Sequence, residues 1–292
     1  MGQTSRDKRD VYYRLAKAGG YRARAAFKLL QLDDALGLLT GATRVVDLCA
    51  APGGWTQVVR ARAPRARVVA VDLKDMAPVA GAIVLAGDLT APATAEAART
   101  ALDGRADLVL CDGAPDVFGL GDVDSHLQHS LVRASAACAR RMLAPGGVFV
   151  SKIYRGRGAT ALFEDLRSDF TEVICAKPRC SRSASVEAFV VARGFGGRCA
   201  DAGPARFVAC GGDDAFDADA SFPLDLEGLA YEFLEPVQAP LRPPHLAEAG
   251  GDAADAASDV PVVEVSTRAP AGFRHNGGVA WARDGAPPAA RD

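Results

Sequence analysis

Between residues 44 and 193 short β-branched runs alternate with stretches of helical periodicity, and this alternation constrains the fold of the 292-residue chain more than any other feature. RVVDL (44–48), RVVAVDL (67–73), AIVLAGDL (82–89), DLVLCD (107–112), GVFVSKIY (147–154), EVICAK (172–177) and VEAFVVAR (186–193) read as strands. Residues 54–63, 92–102, 123–143 and 158–168 read as helices, and apolar residues from Ala26 to Leu39 recur at the spacing of one amphipathic helix over 21–39. Strands that are apolar along their length and separated by helices form a mostly parallel sheet, because a crossover is needed to return the chain to the same edge. The expectation is therefore an α/β fold with a seven-stranded, mostly parallel sheet and helices on both faces.

In such sheets ligands bind outside the carboxyl ends of the strands. Asp47, Asp72, Asp88, Asp112 and Lys152 each fall where the chain leaves an apolar run. One acidic residue there is an ordinary turn or cap residue; four on successive strands predict a site. VVDLCAAPGGW (45–55) closes its strand with a small-residue turn that runs into a helical pattern. Such a turn brings bare backbone amides and a helix N-terminus to a ligand. It lacks the G-x-G-x-x-G spacing that admits a pyrophosphate, so a nucleotide without one is the better guest. Asp72 follows Gly53 by 19 residues, close to the offset of ~20 at which an acidic side chain meets a ribose hydroxyl. Asp88 can accept a hydrogen bond from an adenine amino group. Gly53 allows close approach, and Trp55 is expected to flank the ligand. An adenosine with no second nucleotide suits S-adenosylmethionine.

Composition removes several classes. The chain is 49% hydrophobic and 24% charged, with no apolar run near the ~20 residues of a membrane span. No apolar segment follows the charged start MGQTSRDKRD, so it does not resemble a secretory signal, and a cytoplasmic location without membrane contact is expected. Gly2 and Ser5 approach a myristoylation pattern, but Arg6 fills the position that needs Ser or Thr. The seven cysteines are odd in number and include no C-x-x-C pair, which points to reduced, structural thiols. His126 and His129 lie one helical turn apart without a ligand cluster beside them and read as a solvated helix face. The net charge of −2 hides a division: residues 1–200 carry 28 basic against 20 acidic side chains, and 201–292 carry 6 against 16. Lys8, Arg9, Arg14, Lys17, Arg22 and Arg24 form a basic arm expected to neutralise phosphates of an RNA.

With VVDLCAAPGGW, AVDL, AGDL, DLVLCDGAPD, VSKIYRG and SASVEAF in order, roughly residues 1–195 resemble the FtsJ-type RNA 2′-O-ribose methyltransferases. That resemblance implies a Rossmann-like class I methyltransferase fold, S-adenosyl-L-methionine as methyl donor and no required metal. It implies a catalytic set of Lys28, Asp112, Lys152 and Glu187 around the acceptor ribose, and donor contacts from Gly53, Trp55, Asp72, Asp88 and Asp112. SRDKRDVYYRLAKAGGYRARAAFKLLQLD, CDGAPDVFGLGDVDSH and FPLDLEG (222–228) are similar to the eukaryotic tRNA anticodon-loop subfamily. Its members methylate the first loop nucleotide and the wobble nucleotide, each with a separate auxiliary protein, so tRNA and such subunits are the implied partners. The same chemistry on ribosomal RNA or an mRNA cap, and a non-catalytic RNA-binding scaffold, are the other readings.

Chemistry supports the four-residue set. Methyl transfer to a 2′-hydroxyl needs an in-line approach and removal of a weakly acidic proton; positioning alone supplies effective molarities of ~10⁵–10⁸ M. A lysine serves as base when a neighbouring ammonium and burial lower its pKa, so Asp112 and Glu187, which act oppositely, are expected to orient Lys152 and the ribose. The expected organisation is a basic helical arm over 1–40 carrying Lys28, a methyltransferase domain over 41–200, a C-terminal extension over 201–245 and a disordered tail over 246–292. Apolar positions of the segment from Phe207 to Leu241 suit either a protein partner or packing on the chain's own domain.

Overall fold

The computed structural model describes residues 10–115, 121–156, 158–200, 204–212, 216, 218–219, 273–275 and 281–283. Lys8 and Arg9, most of the expected extension and most of the expected tail lie outside these residues.

Eight strands make the main sheet: β1 (Arg44–Leu48), β2 (Arg67–Asp72), β3 (Ala82–Ala86), β4 (Ala106–Cys111), β5 (Leu143–Tyr154), β6 (Phe170–Pro178), β7 (Glu187–Phe195) and β8 (Arg206–Cys210). Their order is β3-β2-β1-β4-β5-β7-β6-β8. Pairing is parallel except where β7 runs against β5 and β6. The carboxyl ends of β1 to β6 and β8, with the start of β7, therefore share one edge, and the α/β expectation holds.

The helices are α1 (Val11–Ala18), α2 (Ala26–Leu36), α3 (Gly54–Arg62), α4 (Pro92–Leu102), α5 (Gly121–Met142) and α6 (Ala159–Arg167). Period-2 alternation sends Leu108 and Leu110 of β4 to one face, against Leu29 of α2 and Val58 of α3. Val109 and Cys111 go to the other, against Ala98 of α4, Val132 of α5 and Leu162 of α6. No described helix is long and apolar enough to cross a membrane.

The single helix expected over 21–39 is shortened to α2 (Ala26–Leu36), with a turn before it that separates it from α1. Tertiary contacts override periodicity here: Gln57 of α3 takes the Arg22 N–H at 2.9 Å and donates to the Gly20 carbonyl at 3.0 Å. These bonds hold the 20–25 backbone away from helical pairing, and Gly37 ends α2 in the left-handed region at φ 62°. α1 and α2 pack in the same core cluster as Val45 and Phe189, so the N-terminal segment is built into the sheet domain from Val11 onward.

The eighth strand was not expected, and its sequence explains why. β8 is an edge strand, with Arg206, Phe207 and Ala209 exposed, so it lacks the continuous apolar run of a buried parallel strand. Beyond it Phe216 and Ala218 pack back on the core, and Tyr12 donates to the Phe216 carbonyl at 2.8 Å. In the expected disordered tail, β9 (Phe273–His275) pairs antiparallel with β10 (Trp281–Arg283).

Candidate active site

The shared strand edge gathers the four expected catalytic residues from four elements. Lys28 rises from the first turn of α2, Asp112 follows β4, Lys152 lies in β5 and Glu187 opens β7. The Lys28 Nζ is 3.0 Å from the Glu187 carboxylate and 3.5 Å from Asp112 Oδ1. The Lys152 Nζ stands 3.3 Å from the same Asp112 oxygen. One carboxylate oxygen therefore bridges two ammonium groups that are 84 and 40 positions from it in the chain.

Burial makes this cluster stiff. Lys152 is 7% exposed, and the Lys28 Nζ sits 5.8 Å from the Phe189 ring centroid, itself 5.6 Å from the Trp55 ring. Burial pulls the Lys28 pKa down, but Asp112 and Glu187 together outweigh it and hold the ammonium above its usual range. At Glu187 burial raises the carboxyl, and Lys28, the Ser181 hydroxyl and Lys152 outweigh it, so it lies below the ordinary range. The pairing of Glu187 therefore stabilises the fold above the ordinary carboxylate pKa and is lost as pH falls through the depressed value.

Sequence patterns gave no signal for the supports of this set. Ser181 donates to Glu187 Oε1 at 2.7 Å, and Lys177 donates to the Ser185 and Glu187 carbonyls at 2.8 and 2.9 Å. Gln128 of α5, 1% exposed, donates to the Lys152 carbonyl at 2.8 Å and the Gly113 carbonyl at 3.1 Å. A lone serine or glutamine in a loop or helix marks no site until the fold brings it there. Of the two histidines read as a solvated face, only His126 is exposed; His129 is buried and meets the Tyr154 carbonyl at 2.9 Å. No group of three potential metal ligands occurs among the described residues.

The donor side lies along β1 to β3. Gly53 caps α3 at φ 106°, and a Cβ there would come within 2.9 Å of Arg22 Nη1 and 3.1 Å of Val79. The Arg22 guanidinium donates to the Pro52, Ala77 and Pro78 carbonyls and ties this turn to the loop after β2. Asp72 accepts the Ala51 and Lys74 amides, each at 2.9 Å. Asp88 is exposed and accepts both the amide and the hydroxyl of Thr90 through Oδ1 at 2.8 Å; these bonds lower its pKa. A narrow glycine cradle flanked by two carboxylates fits an adenosine.

Two expectations change. The Trp55 indole is 3% exposed and donates to the Ala25 carbonyl at 2.8 Å, so it braces α2 inside the core and only the backbone of Trp55 borders the turn. Asp47 is equally withdrawn: it accepts from Thr56 at 2.6 Å, and burial pushes its carboxyl up to about 8. It points from β1 toward α3 and fastens the helix start to the strand. Of the basic arm, Arg14, Arg22 and Arg24 are committed inward, and Lys8 and Arg9 lie outside the described residues. Arg14 is 2% exposed, and Arg24 pairs with Asp10 and donates to the Cys180 carbonyl. Docking α1 and α2 on the sheet turned these cations toward protein partners, which leaves fewer of them for a polyanion.

Comparison with known proteins agrees with this geometry. The family profile of the FtsJ-like methyltransferases matches residues 21–195. A human tRNA (cytidine(32)/guanosine(34)-2′-O)-methyltransferase is 48% identical over 274 residues, covering 84% of this chain and 83% of that one. A ribosomal RNA large subunit methyltransferase E of Novosphingobium aromaticivorans is 47% identical over 194 residues, 66% of this chain and 87% of that one. The fold matches a Plasmodium falciparum chain described as a ribosomal RNA methyltransferase, with a TM-score of 0.56, 24% identity, and coverage of 61% of this chain and 100% of that one. By the profile match, the motif order and the sheet topology together, this chain belongs to the FtsJ-like methyltransferase family.

Proposed function

We propose that this chain transfers a methyl group from S-adenosylmethionine to ribose 2′-hydroxyls of the tRNA anticodon loop, at nucleotides 32 and 34. The convergence of Lys28, Asp112, Lys152 and Glu187 on one buried-to-exposed edge beside the Gly53 cradle carries the chemistry. For the substrate, support comes from the human tRNA enzyme, whose alignment covers 84% of this chain, against 66% for the ribosomal RNA enzyme of nearly equal identity.

Gly53, Asp72 and Asp88 would hold the adenosine of the donor, which supplies a sulfonium methyl. Asp112 draws the Lys28 and Lys152 Nζ atoms together on one carboxylate oxygen. There the Lys152 Nζ, having first given up its own proton to solvent, would accept the proton of the 2′-hydroxyl, whose oxygen would take the donor's methyl group. Lys28 and Glu187, locked to one another and to Ser181, orient the ribose. The buried surroundings exclude competing water. Auxiliary subunits select the nucleotide.

Single-turnover transfer from labelled S-adenosylmethionine to unmodified tRNA, followed by mapping of 2′-O-methyls, tests this. Methylation at 32 and 34 is expected, and Lys152→Ala should slow transfer ~10²–10⁴-fold while affinity for donor and RNA holds. A variant keeping more than about a tenth of the rate contradicts the role of Lys152; methyls on ribosomal RNA or cap, and none on tRNA, contradict the substrate.

A further inference from the structure

A cavity of about 390 Å³ opens beside the acceptor site, between the end of β6, the 179–186 loop and β8. Its volume falls within the ~300–1,000 Å³ of small-ligand sites. Ser181 belongs to its wall and also donates to Glu187, and Lys177 lines it while donating to the Glu187 carbonyl. The cavity and the catalytic cluster are thus two sides of one partition.

Phe207 forms the apolar side. It is 52% exposed, and it is the only aromatic among the exposed large apolar side chains of the described residues. The Arg155 guanidinium lies 6.0 Å from its ring centroid. Arg155 and Lys177 give their hydrogen bonds to carbonyls, chiefly Ser185, and neither makes a direct ion pair with a described residue, although the Glu187 and Asp219 carboxylates act on Lys177 through space. Asp219 at the rim is held by the Ser183 amide at 2.8 Å. An exposed ring with the Arg155 guanidinium and the Lys177 ammonium close by, and the Asp219 carboxylate as an acceptor at the rim, suits an unstacked nucleobase and a flanking phosphate. Pro178, Ala209 and Phe216 complete the apolar lining around Phe207.

We infer that this cavity binds an unstacked base of the RNA, stacked on Phe207, from a nucleotide adjoining the one whose ribose is methylated. The inference rests on the RNA-methyltransferase reading. It assigns β8, which lies beyond the 21–195 span of the family profile, to holding the RNA in register.

The test uses the full chain saturated with S-adenosylhomocysteine and an anticodon stem-loop RNA carrying 2-aminopurine on either side of the methylated nucleotide. Quenching is expected at one of the two places. Phe207→Ala should abolish it and weaken RNA affinity about five- to 150-fold, while affinity for S-adenosylhomocysteine is unchanged. Phe207→Trp should restore the quenching, and Phe207→Leu, which keeps apolar bulk at the edge strand, should not. Undiminished quenching and affinity in both the Ala and Leu variants overturn the inference. So does loss of a protein partner with RNA binding intact, which would make the cavity a protein-docking site. If the wild type quenches but transfers no methyl to tRNA, the proposed reaction fails and the base site stands; transfer by the wild type with Phe207 variants indifferent removes the base site alone.

Discussion

Asp88 illustrates how little a single carboxylate declares about its task. Its Oδ1 is occupied by the Thr90 amide and hydroxyl, as in any Asx turn, while the side chain as a whole is exposed. An exposed turn residue contributes little to the core, so Asp88→Ala is expected to weaken S-adenosylmethionine binding about tenfold without lowering the melting temperature. Asp88→Asn keeps the turn acceptor, which separates loss of the turn from loss of the charge. Calorimetric titration of both variants decides it: unchanged affinity in Asp88→Ala would reduce Asp88 to a turn residue. The same ambiguity was resolved the other way for Asp47, whose strand-end position resembled that of Asp72 but whose side chain faces α3.

At the level of elements, the donor turn joins β1 to α3 through a backbone conformation that L side chains avoid. Gly53 combines φ 106° with neighbours on three sides: Arg22, Val79 and Met76 all lie within 3.2 Å of where a Cβ would stand. Gly53→Ala therefore carries both a conformational cost and a steric one, of roughly 1–3 kcal/mol for the backbone alone. It is expected to lower the melting temperature by several degrees and to weaken donor binding at least tenfold, read by thermal denaturation and titration. Wild-type values for both would show that the turn tolerates a side chain. Gly54, by contrast, has its nearest neighbour at 3.5 Å and would accept a methyl group in ordinary contact.

For the whole molecule, the distribution of charge sets the expectation for RNA binding. Arg14, Arg22 and Arg24 are turned into the protein, and Arg155 and Arg179, which donate to the Ser185 and Gly212 carbonyls, lie exposed near the acceptor edge. Phosphate contacts confer affinity that falls with salt, with a log–log slope of roughly −0.7 per contacted phosphate in a single strand, and carry no sequence information. The isolated chain is therefore expected to bind tRNA weakly, salt-sensitively and with little selectivity, and to modify the anticodon loop efficiently only with an auxiliary subunit. Reconstitution from purified components checks this. Full, site-selective methylation by the chain alone would remove the need for a partner.

Periodicity in the sequence determined the seven central strands, the parallel arrangement and the edge on which a site must lie, because each of these follows from local apolar patterning and crossover geometry. Motif resemblance named Lys28, Asp112, Lys152 and Glu187, yet their separation along the chain left their meeting point to the sheet order. Tertiary structure alone decided the rest. It turned the Trp55 indole and the Asp47 carboxyl inward, broke the 21–39 helix with side chains from α3, and placed Ser181, Gln128 and Lys177 behind the catalytic set. It also added β8, whose exposed edge residues carry no buried-strand pattern. The physical reason is common to all of them: a side chain's direction and partners depend on elements that are remote in sequence, and short-range patterns record only the average face on which a residue lies.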